Sequence, residues 1–172
     1  MRREFVLAVM MGAVALGGCA KRAHPGNASD GSSAVGGGEP HVENGEDPAL
    51  ARLQADLVAS AGSDRVFFTF DAFSLSPEAR ATLTRQAQWL RQHPRVGFLV
   101  EGHADERGTR EYNLALGDRR ARAAADFLAL QGIAPNRITT ISYGKERPEA
   151  LGSDEASHAQ NRRAVSVVIH LP

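Results

Sequence analysis

Residues 100–121 read VEGHADERGTREYNLALGDRRA. The apolar run Phe98-Leu99-Val100 ends there in a burst of charge: Glu101, His103, Asp105, Glu106, Arg107, Arg110 and Glu111. Beyond the burst the apolar residues fall at helical spacing, with Leu114, Ala121, Ala124 and Leu128 along one side. A strand over 96–100 therefore hands its chain through a short loop bent at Gly108 to a helix over 111–131, which Gly132 stops. The rest of the fold is read outward from this strand–loop–helix unit.

Upstream, Pro48 follows Asp47 and opens a helix over 48–60, with Leu50, Leu53 and Leu57 on one face. VFFTF (66–70) predicts a strand, rich in β-formers and followed by Asp71. Ser76-Pro77 supplies an N-cap and an N1 proline for a helix to about Gln92, which His93-Pro94 ends. Downstream, residues 138–143 and 164–170 predict two more strands. Ser153-Asp154-Glu155 opens a short helix that closes near Asn161. The order β-α-β-α-β-α-β makes an α+β fold, a two-layer α/β sandwich whose helices cover one face of a small sheet. Residues 48–172 suit one domain by size.

The start of the chain carries a different kind of signal. Arg2 and Arg3 precede an uncharged apolar run of 12 residues, Phe5 to Leu16. That is too short to span a bilayer as a helix and has the build of a secretory signal segment. It ends in Leu16-Gly17-Gly18-Cys19, and Cys19 is the only cysteine. Small residues followed at once by cysteine form a bacterial lipobox, so residues 1–18 are expected to be removed and Cys19 acylated. Ala20, rather than Asp, suits sorting to the outer membrane. With Cys19 so used, neither a disulfide nor a cysteine-based metal site is expected. Residues 19–47 are rich in Gly, Ser, Asn and Pro and show no apolar period. They read as a flexible tether with a coil reach of about 30 Å, or about 95 Å if drawn straight. Beyond residue 18 the chain carries 18 basic and 19 acidic residues. That balance lacks the basic excess of a nucleic-acid surface.

The charge burst admits several chemistries. His103, Asp105 and His158 are possible zinc ligands, but HxD at a strand end with a distant histidine matches no ligand spacing, and no metal is expected. Ser142-Tyr143-Gly144-Lys145 has the letters of SxxK, yet it ends a strand rather than opening a helix, so the lysine is not one turn behind the serine. Asp105 and Glu106 are adjacent and point apart in an extended loop, unlike a glycosidase pair. No catalytic residue and no cofactor is expected, although a hydrolase acting on the cell wall is the alternative of a different class.

Asp105 and Arg120 remain. They lie 15 positions apart, and the loop can fold back over the helix to bring them together at its mouth. An acid and a guanidinium a few ångströms apart, unbonded to each other, match a zwitterion: the acid takes an ammonium and the arginine fork a carboxylate. A plain Asp–Arg salt bridge, or two solvated charges, would give the same pattern.

VEGHADERGTREYNLALGDRRA, with SYGKERP (142–148), LGSDEA (151–156) and NRRAVSVVI (161–169), resembles the peptidoglycan-binding domain of the outer membrane protein A family. Within that family it is most similar to the peptidoglycan-associated lipoproteins of the Tol–Pal system. The resemblance covers residues 65–169 and implies a mixed four-stranded sheet. It implies a lipid-anchored protein on the periplasmic side of the outer membrane, serving envelope integrity and cell division. The ligand it implies is the diaminopimelate side chain of the peptidoglycan stem, whose free end is a zwitterion. It makes Asp105 and Arg120 the gripping pair and adds Asp71, Asn113, Asn161 and Arg162 to the site. His103 is expected to hydrogen-bond within the loop. The periplasmic β-propeller and other proteins of the Tol system are implied partners. Two positions depart from the family: Thr69 replaces an acid, and Arg110 stands where relatives often have proline.

Overall fold

The computed structural model describes residues 47–171. The expected signal segment, Cys19 and the tether through residue 46 lie outside the described residues.

In chain order the elements are α1 (Pro48–Ala61), β1 (Arg65–Phe67), α2 (Pro77–Gln92), β2 (Val96–His103), α3 (Arg110–Leu130), β3 (Ile138–Gly144), α4 (Glu155–Asn161) and β4 (Arg163–His170). A 3₁₀ turn, Pro135–Arg137, precedes β3. Helix starts follow side-chain caps. Asp47, Ser76, Thr109 and Asp154 each accept a hydrogen bond from a backbone N–H in the first turn of α1, α2, α3 and α4. Gly132, at φ 87°, turns the chain out of α3 as expected.

The sheet order is β1-β4-β2-β3. β4 runs antiparallel to both β1 and β2, and β3 is parallel to β2, so the sheet is mixed. Alternation along β2 sends Phe98 and Val100 to the helices, where they pack with Leu57, Leu83, Leu90, Ala121 and Leu128. Helices α1, α2 and α3 thus share one core over one face of the sheet, and the expected two-layer α+β sandwich is what forms.

Two strands differ from expectation. β1 ends at Phe67 instead of running to residue 70. Phe68 still donates to the carbonyl of Arg162. Past it, the carbonyls of Thr69 and Ala72 turn inward to the Arg120 guanidinium, and Asp71 adopts φ 54°, which no strand allows. β2 is longer than expected, running to His103 rather than Val100. Glu101 and Gly102 pair with both neighbouring strands, so flanking strands hold a charged end that composition alone does not extend.

Gly102 fixes the distance between sheet and helix. A Cβ there would run into the carbonyl of Gly117 in α3, and one at Gly117 would meet the Ser142 hydroxyl and the Gly102 carbonyl. The two glycines bring α3 against β2 and β3 closely enough for the next turn of α3 to deliver Arg120 beneath the β2–α3 loop.

Candidate ligand site

A cavity of about 190 Å³ opens where the β2–α3 loop, the first three turns of α3 and the segment after β1 meet. Asp71, Asp105, Asn113 and Arg120 all line it. Phe70, Tyr112 and Leu116 form apolar parts of its wall. A larger cavity, about 720 Å³, lies near the start of α1 and the end of α2, with Leu53, Pro94 and Leu171 in its lining. Its ionisable groups are His93, Arg95 and His170 and include no carboxylate, so the facing charges belong to the smaller cavity.

Arg120 is fully buried. Its Nε donates to the Ala72 carbonyl at 2.8 Å, Nη1 to His103 at 2.8 Å and Nη2 to Thr69 at 3.2 Å. Phe68 lies under the guanidinium, 5.3 Å from ring centre to Cζ. The expectation that this side chain sits at a mouth is corrected: it is a core residue whose guanidinium ties the segment after β1, at Thr69 and Ala72, to the end of β2 at His103. Among the described residues no carboxylate is bonded to it, and burial pushes its pKa down to about 10. Five guanidinium hydrogens less three carbonyl bonds leaves about two for a ligand.

Asp105 is also buried, but its charge is met. Arg162 Nη1 reaches its Oδ2 at 3.2 Å, Arg107 Nη2 bonds the same oxygen, and the Arg107 backbone N–H donates to Oδ1 at 3.2 Å. Burial acts to raise its pKa, but the Arg107 and Arg162 hydrogen bonds outweigh it and hold the carboxyl below the usual range. No ion pair joins Asp105 to Arg120 among the described residues. Arg162 in turn donates to the Phe68 carbonyl and to Glu155, so it braces Asp105 from behind without lining the cavity.

Asp71 stands at the exposed edge of the cavity. Its Oδ1 accepts the Tyr112 hydroxyl, and among the described residues no arginine or lysine pairs with it. A non-glycine residue at positive φ is uncommon, though aspartate tolerates the left-handed region; the fold holds it there through the Thr69 and Ala72 carbonyls on either side. Asn113 is buried and donates from Nδ2 to the Arg107 carbonyl at 2.9 Å, pinning the loop over the cavity. Lys145 closes the same loop from outside through the Gly108 and Glu106 carbonyls. Asn161 is not brought into the cavity. Its amide is spent on the 149–150 segment: Oδ1 accepts the N–H of Glu149 and Ala150, and Nδ2 donates to the Ala150 carbonyl.

His103 differs from its expected role. Strand alternation turns its ring to the sheet face away from α3, against Tyr143 with ring centres 5.6 Å apart. Both ring nitrogens are buried without a hydrogen-bond partner; Glu101 Oε2 is 3.5 Å from Nε2, at ion-pair range only. Only the backbone carbonyl of His103 serves the site. Ser142 donates to the Leu114 carbonyl, and Lys145 is committed to the loop, so they form no dyad. Among the described residues, no group of three His, Cys, Asp or Glu could hold a metal.

Arg107, Tyr112 and Phe70 line the cavity and were not singled out from sequence. Arg107 had a signal, as the next charge after Asp105-Glu106. Tyr112 and Phe70 read only as a helix start and a strand end.

Residues 67–162 match the OmpA family. A peptidoglycan-associated lipoprotein of Mesorhizobium japonicum is 47% identical over 166 residues, covering 96% of this chain and 92% of that protein. One from Agrobacterium fabrum is 48% identical over 167 residues, covering 97% and 88%. Among solved structures, the crystal structure of the peptidoglycan-associated lipoprotein from Burkholderia pseudomallei superposes with a TM-score of 0.61 at 47% identity, over 63% of this chain and 92% of that one. The periplasmic domain of Helicobacter pylori MotB, residues 90–256, superposes at 0.55 with 23% identity over 63% of this chain and 70% of that one, a likeness of fold alone.

Proposed function

The chain belongs to the OmpA family, and from that premise we propose that its cavity receives the zwitterionic end of diaminopimelate in the peptidoglycan stem. The observation that carries this reading is Arg120. A fully buried guanidinium without a bonded carboxylate is costly to keep charged, and an anion entering the cavity offsets that cost. The remaining Arg120 hydrogens take the ligand carboxylate as a fork. The ammonium goes to the acidic side of the cavity. Asp71, which no cation pairs with among the described residues, accepts it directly, while Asp105, already held by Arg107 and Arg162, supplies negative potential and fixes the loop.

Size is compatible with the same ligand: about 190 Å³ admits one amino-acid head group and a short stretch of its methylene chain. The site binds and does not transform: none of its side chains forms a nucleophile–base pair. Acylation of Cys19, a tether to the wall from the periplasmic face of the outer membrane, and a place in the Tol–Pal system alongside its β-propeller complete the proposal. These rest on the lipobox and on the names of the relatives.

The test is co-sedimentation of the full-length chain with purified sacculi, competed by free meso-diaminopimelate. Binding that millimolar diaminopimelate displaces is the expected result; binding indifferent to it would move the site elsewhere.

A further inference from the structure

The cavity holds only the end of its ligand, so the rest must leave across the rim, and the rim is not neutral. Arg119, next to Arg120 in sequence, is exposed and pairs with no carboxylate among the described residues. Its Cζ lies 5.6 Å from the Phe73 ring centre and 5.9 Å from that of Tyr112. Tyr112 and Arg119 are seven positions apart and share one side of α3. Both rings stand open, Phe73 at 48% and Tyr112 at 45% exposure. Tyr112 is also a wall of the cavity and bonds Asp71 inside it. One aromatic ring thus joins the buried site to a free cation outside. Phe73 is placed by the same device, since Arg120 Nε holds the carbonyl of the preceding Ala72.

We infer that Arg119, seated on Phe73 and Tyr112, is a second subsite that takes a carboxylate of the residue next to diaminopimelate in the stem peptide. This rests on the receptor reading above. A stem peptide carries such a group: the glutamate joined through its γ-carboxyl to diaminopimelate keeps a free α-carboxylate. The guanidinium lies within 6 Å of both ring centres and is pre-placed by them, so it gives up little freedom on taking an anion. The rings offer the adjoining methylenes an apolar bed. The subsite reads whether that carboxylate is free or amidated, a difference between walls that the Arg120 cavity cannot sense.

Calorimetry on the full-length chain in detergent separates the two readings, using three probes: free meso-diaminopimelate, the tripeptide L-Ala-γ-D-Glu-meso-diaminopimelate, and the same tripeptide with the glutamate α-carboxylate amidated. Arg119→Gln is expected to weaken the free-acid tripeptide about five- to tenfold and leave free diaminopimelate unchanged. Amidation should weaken the wild type to the same extent and the variant not at all. Phe73→Ala should reproduce part of the loss. Equal tripeptide affinity in wild type and Arg119→Gln overturns the second subsite, as does an equal loss for free diaminopimelate. If the wild type binds neither free diaminopimelate nor the tripeptide, the receptor reading fails and this inference with it. Melting temperatures of both variants should match the wild type, since these side chains are exposed.

Discussion

Arg120 and Asp105 line one cavity without touching: the arginine spends its bonds on three backbone carbonyls, the aspartate on two other arginines. The two sides of the site are therefore built differently. The cationic side is a buried charge with unspent donors. The anionic side is a neutralised carboxylate fronted by a second, cation-free one, Asp71.

Arg120→Ala is expected to remove the ligand's carboxylate partner and to orphan the Thr69, Ala72 and His103 carbonyls. Stability should fall by about 2–4 kcal/mol, from three lost bonds and buried acceptors left unpaired. Arg120→Lys keeps the charge but not the fork. It should melt within a few degrees of the wild type and still bind at least about tenfold more weakly. Urea unfolding beside calorimetry checks both, and a stable Arg120→Ala would contradict the placement of this side chain.

Asp71 and Asp105 should separate cleanly. Asp71→Asn is predicted to weaken binding about tenfold with no change in melting temperature, because its carboxylate holds no cation among the described residues. Asp105→Asn should lower stability by about 1–3 kcal/mol, as Arg162 loses its buried partner. The folded-state pKa of Asp105 is depressed. Its contribution is therefore present above the ordinary aspartate value, about 4, and is lost as pH falls through the folded value. Melting curves between pH 5 and pH 2 should show the wild type losing stability that Asp105→Asn does not have to lose.

His103 sets a second window. Burial lowers its pKa, with Arg163 and Arg147 adding to the effect and Glu101 opposing it. The unfolded chain takes up a proton near pH 6.5 that the folded chain refuses. Stability attributable to His103 is intact above that pH and falls as pH drops below it, towards the lower folded value. A wild type whose melting temperature is flat from pH 7 to 5.5, or a His103→Gln variant with the same slope as the wild type, would count against the buried neutral ring.

Gly102→Ala should damage site and fold together. The added methyl meets backbone, the Gly117 carbonyl, which cannot swing aside. A cost of about 1–3 kcal/mol is expected from overpacking, with lost binding as α3 carries Arg120 out of register. Full binding in a variant that melts normally would show that helix and sheet have slack there.

Much of this fold could be read along the chain. Caps at Asp47, Ser76 and Asp154 and the period switch after residue 100 are local signals, and local signals place elements. The errors came where a distant partner decides. VFFTF has strand composition, yet β1 stops at Phe67 because Arg120, some 50 positions on, claims the carbonyls of Thr69 and Ala72. Arg120 itself follows the exposed Arg119 in a charged helix, and nothing in its neighbours marks it as buried. The bracing of Asp105 by Arg162 crosses 57 positions. Asn161 kept its letter in the motif but serves the 149–150 segment rather than the cavity. Four of the six residues expected at the site, Asp71, Asp105, Asn113 and Arg120, line the cavity; Asn161 and Arg162 do not, and the partner of each was not legible.

The buried Arg120 is proposed to read the carboxylate at the free end of the stem side chain. Two stem tripeptides test it, one with meso-diaminopimelate at the third position and one with lysine, which has the same ammonium and no carboxylate there. Titrated into the full-length wild type, the diaminopimelate peptide should bind about 30- to 100-fold more tightly, and in Arg120→Lys that preference should collapse to a few-fold. Equal affinity of the wild type for both peptides, or a preference that survives in Arg120→Lys, would mean that Arg120 does not read that carboxylate.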